Sequence, residues 1–346
     1  MGVDLGDLAL KNTISLETLS GKVVAIDAFN VLYQFLASIR QEDGTPLMDF
    51  KGNVTAHLSG IFYRTAKLIR AGIKPVYVFD GESHEFKQKT KEERAEIRRK
   101  AEVKWREALE ENRIKEAKMY AAASSRLTGE MIEESKRLLA GMGIPFIQAP
   151  SEGEAQASVM VQKGLAYAAA SQDYDALLFG APLLVRNLSI TGRRKVPRQD
   201  RYITVEPEEI RLRETLDALG ISKEKLIWIG LLVGTDFNEG VMRVGPKTAL
   251  KIVKDIDSGS ALQSYVKEKY GHEFEVDFDE LVDFFMNPPY NEPETKLKWG
   301  AADADLVKKI LVEEHDFASE RVEKTLEEIA VSLKEKGAQK KLDDWF

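Results

Sequence analysis

The 346-residue sequence contains no cysteine, which excludes disulfide bonds, thiolate nucleophiles and zinc–thiolate sites. It contains only four histidines, so a bound metal ion would need mainly oxygen ligands. No stretch approaches the roughly 20 consecutive apolar residues that cross a bilayer. The first residues, MGVDLGDLAL, lack the basic segment, apolar core and small-residue cleavage site of a signal peptide. We therefore expect a globular protein that works inside the cell.

The charge balance is mildly acidic, with 57 acidic and 50 basic side chains and a net charge of −7. This balance does not exclude a nucleic-acid partner, because affinity for phosphates depends on where the basic groups lie. With 31% charged and 43% hydrophobic residues, the chain is too apolar for a disordered protein and too charged for a membrane protein. Its length predicts about two domains or one large α/β domain.

Three short apolar runs, at residues 22–26, 75–79 and 165–170, are typical of buried parallel strands. Helical patterns at residues 31–40 and 54–71 lie between the first two runs. This alternation predicts an α/β fold with a wound, mostly parallel central sheet that is flanked by helices.

Three further regions are predicted to be mainly helical. Residues 83–137 are rich in Lys, Arg, Glu and Ala and indicate two or three charged helices inserted into the sheet region. Residues 225–256 read as a helix, a glycine-containing turn and a second helix. The last hundred residues are mostly helical in pattern, are broken at 287–289, and end in a polar tail with two aromatic residues.

Each of the three predicted strands is followed by acidic residues, namely Asp27, Asp80, and the pair Asp173 and Asp175. Ligands of parallel sheets bind beyond the carboxyl ends of the strands, so we expect these carboxylates at one edge of the sheet. The alternative is that each aspartate only caps the helix that follows it.

Three more acidic residues lie at the ends of predicted helices. Glu152 and Glu154 open a helix, and Asp236 follows the apolar helix at 227–233. Ser151 and Glu154 also fit a capping box, which would be a purely structural role, although this does not account for Glu152.

A cluster of six or seven carboxylates needs counter-charge, because two of them 4 Å apart repel by roughly 4 kcal/mol at an effective dielectric of 20. Ligation by oxygen alone favours magnesium or manganese. Two such ions about 4 Å apart can activate a water molecule and stabilise the leaving oxygen of a phosphodiester. Lys87 and Arg94 lie seven residues apart on one helix face, where they could hold the scissile phosphate. The alternative is a solvated helix with internal salt bridges.

The segment VGPKTA, at residues 244–249, opens a helix with a glycine turn. This pattern is typical of a helix-hairpin-helix, in which backbone amides at a helix N-terminus grip duplex phosphates without reading bases. A plain packing corner between two helices would have a similar sequence.

Five segments together resemble the flap endonuclease family, in its archaeal form, among the structure-specific 5′ nucleases: VAIDA (24–28), YVFDG (77–81), APSEGEA (149–155), SQDYD (171–175) and VGTD (233–236). The resemblance covers nearly the whole chain. It implies a PIN-like nuclease fold and a magnesium-dependent enzyme that cuts DNA near the base of 5′ flaps. The implied family role is in DNA replication (Okazaki fragment maturation) and repair, with 5′–3′ exonuclease activity in addition. The metal ligands it implies are Asp27, Asp80, Glu152, Glu154, Asp173, Asp175 and Asp236.

The resemblance also implies that Lys87 and Arg94 are the catalytic basic residues and that two Mg²⁺ ions bind, with Mn²⁺ as a substitute. Residues 84–135 would form a helical arch that admits the free 5′ end. The hairpin motif would hold a potassium ion through backbone carbonyls. The DNA-binding residues implied are Gly2, Tyr33, Arg40, Arg64, Arg186, Gly245 and Lys247. For Tyr33, a place in the hydrophobic core is the alternative.

The last eight residues resemble a peptide that binds a PCNA-type sliding clamp, with the contacts Gln339, Leu342, Trp345 and Phe346. One helical turn of the 3₁₀ type would bring the three apolar side chains to one side. The alternative is a C-terminus that docks on its own domain. The chain lacks the long basic tail of some relatives, so we expect a cytoplasmic protein of an archaeal or prokaryotic cell, or a nuclear one if the source were eukaryotic. We also expect a monomer.

The expected regions are an N-terminal nuclease region (1–105), the arch (84–135), an internal nuclease region (120–262) with the hairpin motif at about 226–256, a C-terminal helical region (263–337) and the clamp-binding tail (338–346). Two other functions remain open. One is a metal-dependent phosphatase that uses Asp173 and Asp175 as nucleophile and acid. The other is a non-catalytic DNA-binding clamp adaptor.

Overall fold

The computed structural model describes residues 2–41, 43–190, 192–195, 202–292 and 297–343; at 88, 89, 91, 193–195, 202, 203 and 334–343 it describes the backbone alone. Within these residues the strands are β1 (Asn12–Thr13), β2 (Val23–Asp27), β3 (Lys74–Phe79), β4 (Phe146–Gln148), β5 (Ala168–Ala170), β6 (Leu183–Arg186), β7 (Gly192–Lys195), β8 (Tyr202–Val205) and β9 (Glu208–Arg211).

The helices of the described residues follow the strands in the alternation that the sequence predicts. They are α1 (Ala28–Ser38), α2 (Ala56–Arg70), α3 (Gln88–Glu110), α4 (Ile114–Ala123), α5 (Gly129–Gly141), α6 (Gly153–Gln162), α7 (Asp175–Leu178), α8 (Leu212–Leu219), α9 (Lys223–Val233), α10 (Pro246–Lys254), α11 (Gly259–Tyr270), α12 (Phe278–Met286), α13 (Ala304–Lys308) and α14 (Ser319–Asp343). Short 3₁₀ turns cover Leu16–Leu19 and Glu85–Lys87, and a π-helical segment covers Lys309–Glu314.

Seven of the described strands form one sheet in the order β1-β9-β6-β5-β2-β3-β4. The five strands from β6 to β4 are parallel, whereas β9 and β1 complete one edge in antiparallel orientation. Strands β7 and β8 form a separate antiparallel ribbon. The predicted wound, mostly parallel sheet is therefore confirmed. Its flanking strands β4, β6 and β9 and the ribbon were not predicted, because each is only three or four residues long.

Apolar residues cover both faces of the sheet, as continuous apolar strands require. On one face, Ala25, Val78 and Ala169 contact a core completed by helices α6, α7 and α9–α12. On the other face, Val24 and Tyr77 contact a core completed by α1, α2, α5, α13 and α14. The two cores fix the strands from both sides, so the carboxyl ends of β2, β3 and β5 meet at one edge.

The charged insertion contains helices α3 and α4, which pack on each other. Their contact buries mainly small side chains, with Ala101 and Ala108 of α3 facing the same seam as Ala117 and Ala121 of α4. Helix α5 instead belongs to the body, since Leu138 and Leu139 lie in the sheet core. Among the described residues, no helix is long and apolar enough to cross a bilayer.

Candidate active site

Two aspartates mark the carboxyl ends of neighbouring parallel strands. Asp27 is the last residue of β2 and the N-cap of α1, where its Oδ1 accepts the backbone N–H of Asn30 at 3.0 Å. Asp80 follows β3, and its Oδ1 accepts the backbone N–H of Gly153 at 2.8 Å. The capping interpretation is thus correct for Asp27. The cap does not exclude a place in the cluster, because Asp27 still lies close to Asp80 and Asp173.

The turn between β5 and α7 supplies Asp173 and Asp175. Asp173 Oδ2 accepts a hydrogen bond from the Asn30 side chain at 3.1 Å. Asp175 is buried at the first position of α7, and its Oδ1 accepts the backbone N–H of Val3 at 2.7 Å. An added Cβ on Gly2 would lie 2.4 Å from the other oxygen of Asp175, so the glycine packs directly against this carboxylate.

The start of α6 supplies Glu152 and Glu154. Glu152 is the N-cap residue, and no side chain caps the helix. The capping-box interpretation is therefore wrong: Ser151 lies one position too early, and its buried hydroxyl has no hydrogen-bond partner. Glu154 likewise has a buried carboxylate oxygen, Oε1, without a partner.

Neighbouring carboxylates among the predicted acids lie close enough to raise the pKa of four of them, Asp27, Asp80, Glu154 and Asp175. Burial, with a smaller contribution from Glu152, raises the pKa of Asp80 to about 7. Burial, with a smaller contribution from Asp236, raises the pKa of Asp175 to about 7. For the same two reasons, burial and neighbouring carboxylates, the pKa is raised well above the usual range at Asp27 and Glu154. The raised pKa values show that the carboxylates of the cluster repel one another and that the cluster needs more positive charge than it has.

Two arch side chains supply part of that charge. The Lys87 ammonium contacts Glu152 Oε2 and lies 3.7 Å from Asp236 Oδ2, while the Arg94 guanidinium contacts Asp236 Oδ1. Burial alone would lower the pKa of Lys87, but Glu152, Asp80 and Asp236 outweigh it and raise that pKa. Lys87, the last residue of the 3₁₀ turn that precedes α3, and Arg94, within α3, thus lie directly over the acids. The prediction that both cations lie on one helix face is wrong for Lys87, because α3 begins one residue later.

Several properties of the cluster fit a divalent cation. Its donors are carboxylate oxygens, the ligands that magnesium and manganese prefer. One of these oxygens, on Glu154, is buried and unpartnered, and the raised pKa of four of the carboxyl groups shows that the cluster has too little counter-charge. Within the described part of the chain, no group of three or more His, Asp or Glu side chains could hold a metal ion as it stands. The metal-ligand assignment therefore stays a prediction.

Tyr33, the predicted DNA-stacking residue, is half-buried on α1. The guanidinium carbon of Arg98 lies 5.0 Å from the centre of its ring. Arg98 follows Lys87 and Arg94 along the same arch segment, so three arch cations face the body of the protein. The ring of Tyr33 is thus covered by the arch rather than packed into the core.

Two of the predicted DNA-binding arginines have partners within the protein. Arg40 donates to the carbonyl of Gly44 at 2.9 Å and to the Ser125 hydroxyl at 2.6 Å, which ties the end of α1 to the base of the arch. Arg186 donates to the Gln172 carbonyl at 3.0 Å. Arg64 lines a small cavity together with Asn30 and Gln172.

The hairpin motif contacts the N-terminal segment of the chain. Gly245 is exposed and is the N-cap residue of α10. The exposed Lys247 lies 3.0 Å from Asp7, so the acidic N-terminal residues contact this motif. The predicted clamp contacts are not described in full: Trp345 and Phe346 lie outside the described residues, as do the side chains of Gln339 and Leu342.

Sequence reasoning missed three residues at the site. Asn30 joins two of the acids, and its position three residues after Asp27 is the only signal that could have indicated this. The other two are Gly81 and Gly153. A Cβ added to Gly81 would lie 2.1 Å from the Ala149 carbonyl oxygen, and one added to Gly153 would lie 2.7 Å from Asp80 Oδ1. These glycines let the loop after β3 approach the start of α6.

Two family models match the chain: the XPG N-terminal domain over residues 5–101 and the XPG I-region over residues 143–236. Together they cover the strands and helix ends that carry the cluster, which defines the chain as an XPG-type protein. Flap endonuclease 1 of Pyrococcus furiosus is 51% identical over 347 residues, which span 100% of this chain and 99% of that one.

Solved structures agree with the sequence relatives. Flap endonuclease-1 from Methanococcus jannaschii matches with a TM-score of 0.75 and 42% identity, over 97% of this chain and 100% of that one. The catalytic core of Rad2 in complex with a DNA substrate shares the fold, with a TM-score of 0.69 and 22% identity over 95% of this chain and 100% of that one. This protein belongs to the flap endonuclease family. The resemblance read from the five sequence segments is confirmed.

Proposed function

We propose that this protein hydrolyses DNA phosphodiesters near the base of 5′ flaps, with 5′–3′ exonuclease activity in addition. The observation that supports this most directly is the gathering of seven carboxylates at one sheet edge with Lys87 and Arg94 directed into them. The names of the relatives add the substrate class, since full-length matches at about half identity are flap endonucleases.

The residues that would hold divalent metal are the seven clustered acids, for which two Mg²⁺ ions, or Mn²⁺ in their place, match the oxygen donor set. When bound, such ions supply the Lewis-acid charge that phosphodiester hydrolysis requires. Lys87 and Arg94 then hold the scissile phosphate and stabilise its transition-state charge, because metal would compete for the carboxylates they now contact. Val3 and Gly153 keep Asp175 and Asp80 oriented through backbone N–H groups.

Binding of branched DNA would rest on shape rather than on base sequence. The exposed N-terminus of α10, with Gly245 and Lys247, would grip the duplex and hold a potassium ion through backbone carbonyls of the hairpin. Tyr33 would stack on a base once Arg98 moves away, and Arg64 and Gly2 lie beside the cluster. The arch, 84–135, would admit the single strand. Arg40 would act on the arch rather than on DNA alone, since its guanidinium holds the arch base.

The wider assignments follow the family. They are a role in DNA replication (Okazaki fragment maturation) and repair, a cytoplasmic location, a monomeric state, and binding of a PCNA-type sliding clamp through the tail at 338–346. We also propose nuclease regions at 1–105 and 120–262, the arch at 84–135 and a C-terminal helical region at 263–337.

The two other functions fit the site less well. A phosphatase would use Asp173 and Asp175 as nucleophile and acid. It would not explain why Glu152 and Glu154 lie next to the same carboxylates. A non-catalytic adaptor would have no chemical need for buried, mutually repelling carboxylates, which are costly to keep together.

The test is cleavage of a labelled DNA with a single 5′ flap, compared with the matching 3′ flap, nicked duplex and free single strand. We expect endonucleolytic cutting near the flap base in Mg²⁺, little cutting of the 3′ flap, and none in EDTA. A product released from the 5′ flap only as inorganic phosphate would favour the phosphatase. Flap binding without any cleavage in Mg²⁺ or Mn²⁺ would favour the adaptor.

A further inference from the structure

The turn that carries Asp173 is held mainly through side chains. Within the turn, the Ser171 hydroxyl accepts the backbone N–H of Asp173 at 3.2 Å. Between the end of β5 and the start of α7, the peptide groups of Gln172 are held by two side chains. The Gln172 N–H donates to Asn30 Oδ1 at 3.2 Å, and the Gln172 carbonyl accepts from Arg186 Nε at 3.0 Å. The turn is therefore held by α1, which follows β2, and by β6, and β2 and β6 are the two neighbours of β5 in the sheet.

The Asn30 side chain is oriented by its partners. Because a backbone N–H requires an acceptor, the Asn30 oxygen must face Gln172, and the Asn30 amide nitrogen then donates to Asp173 Oδ2 at 3.1 Å. The backbone N–H of Asn30 donates to Asp27 Oδ1 at 3.0 Å. One residue thus joins the carboxylate at the end of β2 to the carboxylate of the turn.

The Arg186 side chain completes the grip. Its guanidinium donates to the Tyr174 hydroxyl at 2.5 Å, stacks on the Tyr174 ring at 4.2 Å and lies 3.5 Å from Glu208. The side chain is only 19% exposed. Its Nε and Nη1 donors are already used within the protein, on Gln172, Tyr174 and Glu208.

We propose that Asn30 and Arg186 are positioning residues, which fix the turn 171–174 so that Asp173 is in place before metal binds. The inference rests on the proposed function only in that Asp173 binds metal. The grip itself is a property of the metal-free fold. Loss of residues that orient metal ligands typically costs about 10–100-fold in metal affinity, because the ligand must then be ordered by the ion.

The test uses the full chain without DNA and the variants Asn30→Ala, Asn30→Ser and Arg186→Lys. Mn²⁺ affinity is measured from the electron paramagnetic resonance signal of free Mn²⁺, and hydrogen exchange is followed in peptides that span 171–174. We expect Mn²⁺ binding to weaken by roughly 10–100-fold in Asn30→Ala. The amide of Gln172 should exchange faster, while affinity for flap DNA in EDTA stays unchanged. Asn30→Ser keeps the test open if the alanine variant does not fold.

Two matched controls separate this role from general stability. Asn53→Ala removes a similar asparagine-to-aspartate hydrogen bond, to Asp49 at 2.8 Å, away from the cluster. Arg137→Lys shortens an arginine that pairs with Glu314 on the surface. Both controls should leave Mn²⁺ affinity and exchange of the turn at wild-type values.

The Arg186→Lys variant distinguishes positioning from phosphate binding, since lysine keeps the charge but cannot reach Gln172 and Tyr174 together. Weaker Mn²⁺ binding with unchanged DNA affinity supports the proposal. Weaker DNA binding with unchanged Mn²⁺ affinity would overturn it for Arg186, and unchanged Mn²⁺ affinity and exchange in Asn30→Ala would overturn it for Asn30. If the wild-type chain fails to cut flaps, the proposed function fails, while the exchange measurement still tests the grip.

Discussion

The acid cluster and the arch differ in what holds their side chains in place. In the cluster, Asp27, Asp80 and Asp175 each accept a backbone N–H from a neighbouring element, so their positions follow from the sheet. In the arch, several charged side chains form exposed pairs within α3, such as Arg106 with Glu102 and Arg99 with Glu96. Exposed pairs of this kind contribute roughly 0–1 kcal/mol each.

The arch is attached to the body by few strong contacts. Its internal seam buries alanines, which lose little water-accessible area per residue. Its contacts with the site are made by Lys87, Arg94 and Arg98. The orientation of the start of the arch over the site therefore depends on charge within the cluster, whereas Asp27, Asp80 and Asp175 are held by backbone N–H groups outside the arch. Substitutions on the two sides should accordingly have effects of different size.

The largest effect is expected inside the cluster. Asp175→Asn removes one carboxylate charge but keeps an oxygen for the Val3 N–H, so the fold should persist. We expect single-turnover cleavage of a 5′ flap to fall by about a thousandfold or more, which exceeds the roughly 10–100-fold loss typical of groups that only orient ligands. Binding of the flap should be nearly unchanged, because it depends on distant phosphate contacts. Wild-type turnover in this variant would remove Asp175 from the proposed site.

The next largest effect is expected where the arch meets the cluster. Lys87→Ala removes the ammonium that contacts Glu152, and we expect single-turnover cleavage to slow by roughly 100–1,000-fold with little change in DNA affinity. Lys100→Ala is the matched control, since Lys100 is 69% exposed on α3, the helix that begins directly after Lys87. If Lys87→Ala weakens affinity and leaves the single-turnover rate intact, Lys87 is an ordinary phosphate contact.

The sequence predicted the cluster well because strand ends obey a simple rule. Continuous apolar runs predicted β2, β3 and β5, and parallel strands bring their carboxyl ends together regardless of the loops between them. Asp27, Asp80, Asp173 and Asp175 therefore fell into one group before any contact was known. The helix-turn-helix pattern at 225–256 likewise matches α9 and α10.

The contacts between elements could not be read from the sequence. The sequence does not distinguish an arginine that binds DNA from one that binds the protein itself. Only the structure shows that Arg186 and Arg40 have partners within the protein. The cap at α6 was wrong because Ser151 suits an N-cap by its residue type, whereas the helix begins one residue later, with Glu152 at the N-cap position and no side-chain cap. Short strands such as β4 give too few residues for a period to be recognised.

The pH dependence of stability tests the cluster without any substrate. The pKa of Asp80 and of Asp175 is raised from 3.8 to about 7, so the folded protein keeps protons that the unfolded chain releases. The metal-free protein should therefore lose stability as pH rises from about 4 to about 7. We expect a decrease on the order of a few kcal/mol, or roughly 5 °C in Tm.

Added Mg²⁺ should restore this stability most strongly above pH 7, where it does not compete with protons. Calorimetry at pH 5.5 and pH 8, with and without Mg²⁺, measures the effect. Asp80→Asn provides the control, since removal of one titrating carboxyl should flatten the metal-free profile. A Tm that rises between these pH values in EDTA would contradict the assigned electrostatics.

A smaller effect is expected at the contact between Arg98 and Tyr33. Cation–π contacts at exposed sites contribute about 0.5–1 kcal/mol, so Arg98→Ala should speed hydrogen exchange of the DNA-free arch about two- to fivefold. Tyr33→Ala should have the same effect, and the double variant should add nothing further, because both changes remove one contact. Arg99→Ala is the control, as Arg99 pairs only within the arch with Glu96 among the described contacts. Additive effects of the two changes would show that the contact does not hold the arch.

The smallest effect on the isolated enzyme is expected at the C-terminal tail, which belongs to neither the cluster nor the arch. Among the side chains of α14 that the structure describes, those of residues 319–333, Val322, Leu326 and Ile329 join the core. Deletion of residues 338–346 should therefore leave flap cleavage and Tm nearly unchanged. Leu342, Trp345 and Phe346 would otherwise expose apolar surface that only a partner covers, so the same deletion should abolish binding to a sliding clamp. Titration of the clamp measures this, with Lys341→Ala as a control that keeps all three apolar residues. Unaltered clamp affinity in the truncated chain would show that the clamp binds elsewhere, and a fall in Tm would show that the tail docks on its own domain.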